Sequence, residues 1–116
     1  MRDSLDGLRD RLERFAADRD WERFHTPKNL AMAISGEAGE LAAELQWSDP
    51  SPDALRMDPD LRGRLASEVA DILIYLIRFA DVTGLDLIQE ANRKIYENGK
   101  RYSVSLSRGN ADKRSP

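Results

Sequence analysis

Two pairs of carboxylates at helical spacing are the residues in this sequence best suited to chemistry. Glu37 and Glu40 lie three apart in AISGEAGELAAELQW, and Glu68 and Asp71 repeat the interval in SEVADILIYLIRFA. At roughly 100° per residue, Leu30, Ile34, Leu41 and Leu45 form one apolar stripe. Glu37 falls roughly 20° outside Leu30 on that scale, and Glu40 about 60° further around. Leu61, Leu65, Ile72 and Leu76 form a second stripe, and Glu68 and Asp71 fall at the same two offsets from it. Packed side by side, two such helices bring the carboxylates together at the margin of a bundle core. Unit charges about 4 Å apart repel by roughly 4 kcal/mol at an effective dielectric near 20. The group is therefore stable only around a cation or with some members protonated. An all-oxygen donor set suits Mg²⁺, with Mn²⁺ as the alternative. Zinc is disfavoured by the absence of cysteine and the single histidine, His25. A di-iron site built from Glu-x-x-His pairs lacks its histidines for the same reason.

The elements that must position these residues are helices. Leu5, Leu8, Leu12 and Phe15 recur at helical spacing, predicting a first amphipathic helix over residues 4–19. Thr26 and Pro27 read as the N-cap and first residue of a second helix reaching about Trp47. SDPSPDALRMDP contains three prolines and reads as a loop. Asp58 and Pro59 open a third helix, which Gly84 can end. Asp86 and Gln89 resemble a capping box opening a fourth, through about Arg101. No strand signal appears, so the expected fold class is all-α, a four-helix-type bundle. One domain spans 1–102, and the Ser-, Gly- and charge-rich residues 103–116 read as a flexible tail.

From Val69 to Ala80 only Asp71 and Arg78 are charged, so the third helix is apolar almost all round. Such a helix is buried all round. Leu73, Ile74 and Ile77 lie away from its stripe and are expected to bury against another subunit. The expected assembly is a homo-oligomer, a dimer or a tetramer built as a dimer of dimers. The chain has 116 residues and a net charge of −3, which argues against a nucleic-acid polymer as partner. A small phosphorylated ligand stays compatible, because a bound cation inverts the local charge. No apolar run reaches membrane-spanning length and no leader is visible, so the expected location is the cytoplasm, with no membrane contact.

Further candidates surround the acidic pairs. Lys94, Asn98 and Arg101 fall at i, i+4 and i+7 on one face of the fourth helix. Trp21 and Trp47 offer aromatic faces on which a base can stack. His25 either contacts a ligand or satisfies the entrance of the second helix. No serine has a partnered histidine or lysine, so a serine nucleophile lacks support.

FHTPKNLAMAISGEAGELAAELQW, SEVADILIYLIRFA and KIYENGKRY, in this order and spacing, resemble the MazG-like nucleoside triphosphate pyrophosphohydrolases. Their hallmark, E-x-x-E followed after a spacer by E-x-x-D, corresponds to Glu37, Glu40, Glu68 and Asp71. The resemblance covers roughly residues 5–102, and the wording DWERFHTPKNL, GEAGEL and DILIYL is similar to that of the small dCTP pyrophosphatases. It implies a MazG-like bundle assembled as an intertwined oligomer. The implied reaction is Mg²⁺-dependent cleavage of a deoxynucleoside triphosphate, dCTP or a modified dCTP, to the monophosphate and pyrophosphate. Glu37, Glu40, Glu68 and Asp71 would hold the metal, and either Glu37 or Glu40 would take a proton from the attacking water. Lys94 and Arg101 would meet the phosphates, and Asn98 and Tyr102 would line the nucleotide pocket. Trp21 and Trp47 would wall the base, with Tyr75 near the sugar and His25 a candidate contact.

The sequence departs from the pattern at Leu12, where the relatives often carry a histidine, and in a loop after Trp47 shorter than that of the animal relatives. Two other readings compete with the first. One keeps the reaction and changes the base, to dUTP, dATP or nucleoside triphosphates at large. The other is a non-catalytic helical dimerisation module, which leaves the recurrence of the acidic pairs at one angle unexplained.

Overall fold

Capping side chains decide where the helices begin. In the computed structural model, which describes residues 4–111, the Ser4 hydroxyl accepts the Gly7 N–H at 3.0 Å and opens α1, Leu5–Asp18. A 3₁₀ turn, Glu22–Phe24, leads to α2, Pro27–Glu44, where Thr26 Oγ1 accepts the Asn29 N–H at 3.1 Å. The end of α2 falls short of Trp47. Leu45 and Gln46 donate to Ala42 and Ala43, a tightening of the last turn ahead of Pro50.

The proline-rich loop contains a short helix that was not expected, α3, Pro52–Arg56, opened by Ser51 Oγ accepting the Ala54 N–H at 3.1 Å. Asp58 Oδ1 accepts the Leu61 N–H at 3.1 Å to open α4, Pro59–Thr83. Gly84 ends α4 at φ 74°, a left-handed conformation that glycine adopts without a Cβ penalty.

The chain divides after Gly84 into two units. In the second, Asp86 Oδ1 accepts the Gln89 N–H at 3.0 Å to start α5, Leu87–Arg101. The segment read as a flexible tail contains one helical turn, α6, Val104–Ser107. Its last residues, 112–116, lie outside the described residues. No strand occurs among the described residues, and the fold is all-α.

In the first unit α4 is central and packs against α1, α2 and α3. Leu30, Ala16, Ile77 and Ala80 are its buried apolar residues. Ile77, expected to face another subunit, is buried within the chain at 3% exposure. It lies about 160° around α4 from Leu61, on a face that α1 covers. Leu76, assigned to the core stripe, is 37% exposed, while Leu73 and Ile74 keep 40% and 38%. The reading of α4 as lacking a partner on that side overlooked α1. No helix among the described residues is long and apolar enough to cross a membrane.

Candidate metal centre

Glu37 and Glu40 lie on α2, and Glu68 lies on α4. The contact of Glu37 with Glu68, and an ion pair at 2.9 Å between Glu44, further along α2, and Arg64 Nε, earlier on α4, show the two helices running antiparallel. Carboxylate oxygens of Glu37, Glu40 and Glu68 all lie within 4.8 Å of one another. Oxygens sharing one hard cation at about 2.0–2.6 Å stand up to about 4–5 Å apart, so the spacing fits such an ion. Glu37 Oε2 and Glu68 Oε2 are buried and have no hydrogen-bond partner, while Glu40 is exposed.

The electrostatics follow from this crowding. Burial, then the neighbouring Glu37 and Glu40, push the Glu68 carboxyl up to about 7. Burial also raises Glu37, aided by the charges of Glu40 and Asp71 and opposed by Glu68. Arg64, on the neighbouring turn of α4, is engaged by Glu44. The cluster is therefore short of positive charge, which a hard divalent cation would supply. Asp71 is half-buried and its charge reaches Glu37, but none of its oxygens joins the three-carboxylate group.

The other candidates are placed less closely. Trp21 is 44% exposed and meets Phe15 edge-on at 5.7 Å and His25 at 6.4 Å. His25 does not satisfy the entrance of α2, which Thr26 caps; its Nδ1 accepts from Arg78 Nε at 3.1 Å. Trp47 stands 89% exposed beyond the end of α2, and Tyr75 is half-buried on α4. Lys94, Asn98, Arg101 and Tyr102 belong to the second unit. There Lys94 Nζ lies 3.8 Å from Glu97, and the Asn98 carbonyl accepts the Tyr102 N–H at 2.8 Å. The Arg101 guanidinium sits 5.2 Å from the Tyr102 ring. Leu12, at the position of departure from the family pattern, lines an apolar groove of about 350 Å³ between α1 and α4, with Leu8, Phe15 and Leu73.

Sequence reasoning missed a buried group. Arg78 is 4% exposed, and its Nη1 lies 3.1 Å from Asp81 Oδ2 while its Nε meets His25. The available signal was an isolated arginine in an apolar run, in a chain with one histidine.

Known proteins agree with this architecture. No family model matches the chain. The dCTP pyrophosphatase 1 of Mus musculus is 45% identical over 111 residues, 95% of this chain and 65% of that protein. The Homo sapiens protein of the same name is 40% identical, again over 95% of this chain and 65% of its own length. The chain thus spans just under two thirds of these curated relatives. A crystal structure of a pyrophosphatase from Archaeoglobus fulgidus superposes with a TM-score of 0.78 at 35% identity, covering 89% of this chain and 95% of that one. Similarity over nearly the whole of that structure joins the paired acidic motifs on α2 and α4, and the chain belongs to the MazG-like nucleoside triphosphate pyrophosphohydrolases.

Proposed function

We propose that this protein hydrolyses a deoxynucleoside triphosphate, dCTP or a modified dCTP, between its α and β phosphates. The products are the nucleoside monophosphate and pyrophosphate, and the role is removal of unwanted nucleotides from the pool. The observation that carries the reading is the cluster of Glu37, Glu40 and Glu68, crowded within 4.8 Å with two buried oxygens lacking partners. Glu37, Glu40 and Glu68, with Asp71 beside them, would hold Mg²⁺, or Mn²⁺ in its place. When bound, such an ion neutralises phosphate charge and makes the α-phosphorus more electrophilic.

The protein's own groups do the rest. Glu40 or Glu37 takes a proton from the water that attacks the α-phosphorus, and the bond to the bridging oxygen breaks to release pyrophosphate. Exposure of Glu40 favours it for this step, since Glu37 and Glu68 turn one oxygen each into the protein. Lys94 and Arg101 carry the charge suited to the β and γ phosphates, with Arg101 capable of two parallel hydrogen bonds. Asn98 and Tyr102 would contact the nucleotide. Trp21 and Trp47 wall the base, Tyr75 lies by the sugar, and His25 reaches the nucleotide. The names of the curated relatives favour cytosine as the base. Exposure of Leu73 and Ile74 on α4 supports assembly as a homo-oligomer, a dimer or a dimer of dimers.

The experiment is a screen of the eight common ribo- and deoxynucleoside triphosphates with Mg²⁺, with and without EDTA. Products are separated by ion exchange, so that pyrophosphate is distinguished from phosphate. Metal-dependent release of pyrophosphate, fastest from dCTP, is expected. Faster turnover of dUTP or dATP would reassign the base, and no turnover would leave the dimerisation module standing.

A further inference from the structure

We infer that Arg78 is a positioning residue, which with Asp81 fixes His25 as an uncharged hydrogen-bond donor through Nε2, aimed at an acceptor on the edge of the base. The inference rests on the proposed function in taking Trp21 as a wall for that base.

A guanidinium at 4% exposure needs partners, and Arg78 has an oxygen of Asp81 at 3.1 Å from Nη1 and the imidazole at 3.1 Å from Nε. Guanidinium nitrogens only donate and do not deprotonate in proteins. The His25 nitrogen facing Arg78, Nδ1, must therefore present its lone pair. A neutral imidazole has one donor and one acceptor, so the proton resides on Nε2, on the other side of the ring. Protonating Nδ1 would set two N–H groups and two positive charges against each other.

The charged surroundings are consistent with this arrangement. On α4 they are Arg78 and Asp81; on the 3₁₀ turn, Glu22; and on α1, Arg9, which feels the charge of Asp81. Burial and Arg78 lower the pKa of His25, and Glu22 opposes them. Groups of α4 and of the 3₁₀ turn thus act on one imidazole, whose ring centroid lies 6.4 Å from that of Trp21 with the planes at 62°. A base stacked on Trp21 brings its edge to this donor. Carbonyl oxygens and unprotonated ring nitrogens are the groups such a donor recognises. With the Nδ1 lone pair engaged by Arg78, the neutral ring keeps its single proton on Nε2.

His25 is the only histidine, so its imidazole can be observed alone. The protein is prepared with ¹⁵N-labelled histidine, and two-bond correlations are recorded from pH 5.5 to 8 without nucleotide. The expected spectrum has a pyridine-like Nδ1 and a pyrrole-like Nε2 at neutral pH, with a titration midpoint below that of an ordinary histidine. A wild-type ring with the proton on Nδ1, or a titration midpoint at or above about 6.5, overturns the inference without any variant. In Arg78→Met the midpoint should rise towards that value and a tautomer mixture appear.

The kinetic arm compares dCTP with the triphosphate of an abasic deoxyribose. Arg78→Met should raise the KM for dCTP about tenfold, the worth of one hydrogen bond, with kcat within about twofold and the abasic compound unaffected. An equal loss for both compounds overturns the base-reading role. Failure of the tautomer measurement leaves the proposed function intact, whereas a wild type that hydrolyses no nucleotide removes that function and the base-reading role with it.

Discussion

Glu68 and Arg78 lie on the same helix, about 15 Å apart along its axis, and both are drawn in from solvent among ionisable neighbours. Around Glu68 all the close partners are carboxylates, two oxygens have no hydrogen bond, and its pKa climbs to about 7. Around Arg78 the charge is answered by Asp81 on its own helix and the lone pair of His25 across the chain. The first cluster is short of positive charge, whereas the second is balanced within the chain. The difference lies in how each charge is met, by like charge around Glu68 and by an acid and a lone pair around Arg78. Charge alone would not have separated them.

The largest effect expected from breaking the comparison is on turnover. Glu68→Gln and Glu40→Gln each remove one carboxylate charge from the proposed site with little change of volume. Either should lower kcat for the preferred triphosphate by about 10³ or more at saturating Mg²⁺, given what positioned metal and charge contribute. Circular dichroism should remain that of the wild type. Asp71→Asn sharpens the picture, since Asp71 stands outside the three-carboxylate group. A loss as large as that of Glu68→Gln would make it a full member of the site. Most activity retained in Glu68→Gln would end the metal assignment.

Arg78→Met should act on stability as Glu68→Gln does not. Removing one partner of a buried ionic group costs about 3–5 kcal/mol. Asp81 keeps 25% of its side chain exposed and can rehydrate, so the lower end of that range applies. Urea unfolding monitored by circular dichroism reads the change directly. A midpoint unchanged in Arg78→Met would show that the ion pair contributes nothing to the fold.

The pH dependence of stability in EDTA comes next in size. Because Glu68 and Glu37 are raised in the folded state, the native protein holds more protons than the unfolded chain above the ordinary carboxylate range. Stability from this source is present at low pH and is lost as pH rises through about 7. The lowered pKa of His25 acts in the opposite sense, costing stability as pH falls below its ordinary range. The difference between wild type and Glu68→Gln isolates the first contribution. The wild-type melting temperature, relative to the variant, should fall between pH 5 and 8, and Mg²⁺ should reverse the fall at pH 8. A difference that does not change with pH would mean that the carboxylates are not coupled.

Helix boundaries and the acidic cluster were legible for the same reason: both are written in intervals of three or four residues. Thr26, Asp58 and Asp86 accept N–H groups three residues on, and Gly84 supplies the left-handed stop. Glu37 and Glu40 share a helix face by spacing, and matching offsets pointed to Glu68 as their neighbour. Other features depend on contacts that no local interval encodes. The α3 opening, Ser51–Pro52, was hidden among prolines that also suit an irregular loop. Ile77 read as outward because periodicity gives angles around α4 without saying that α1 covers the far side. Arg78 and His25 stand 53 residues apart, and only the packed fold brings them together.

Trp47→Ala should have the smallest effect on the fold and the most selective effect on the substrate. At 89% exposure the indole contributes little packing, so unfolding free energy should remain within about 0.5 kcal/mol of wild type. Stacking on a base is worth about 1–3 kcal/mol. The KM for the preferred nucleotide should therefore rise roughly five- to hundredfold, with discrimination among bases flattened and kcat recovered at saturation. Arg101→Ala, at the residue proposed to meet the part that all triphosphates share, should weaken them alike. The pair of variants thus separates recognition of the base from recognition of the phosphates without disturbing either cluster on α4. If Trp47→Ala destabilises the protein by more than about 1.5 kcal/mol, or lowers kcat for every nucleotide at unchanged KM, its indole belongs to packing within an assembly. Trp21, seated against His25, then becomes the remaining candidate for stacking the base.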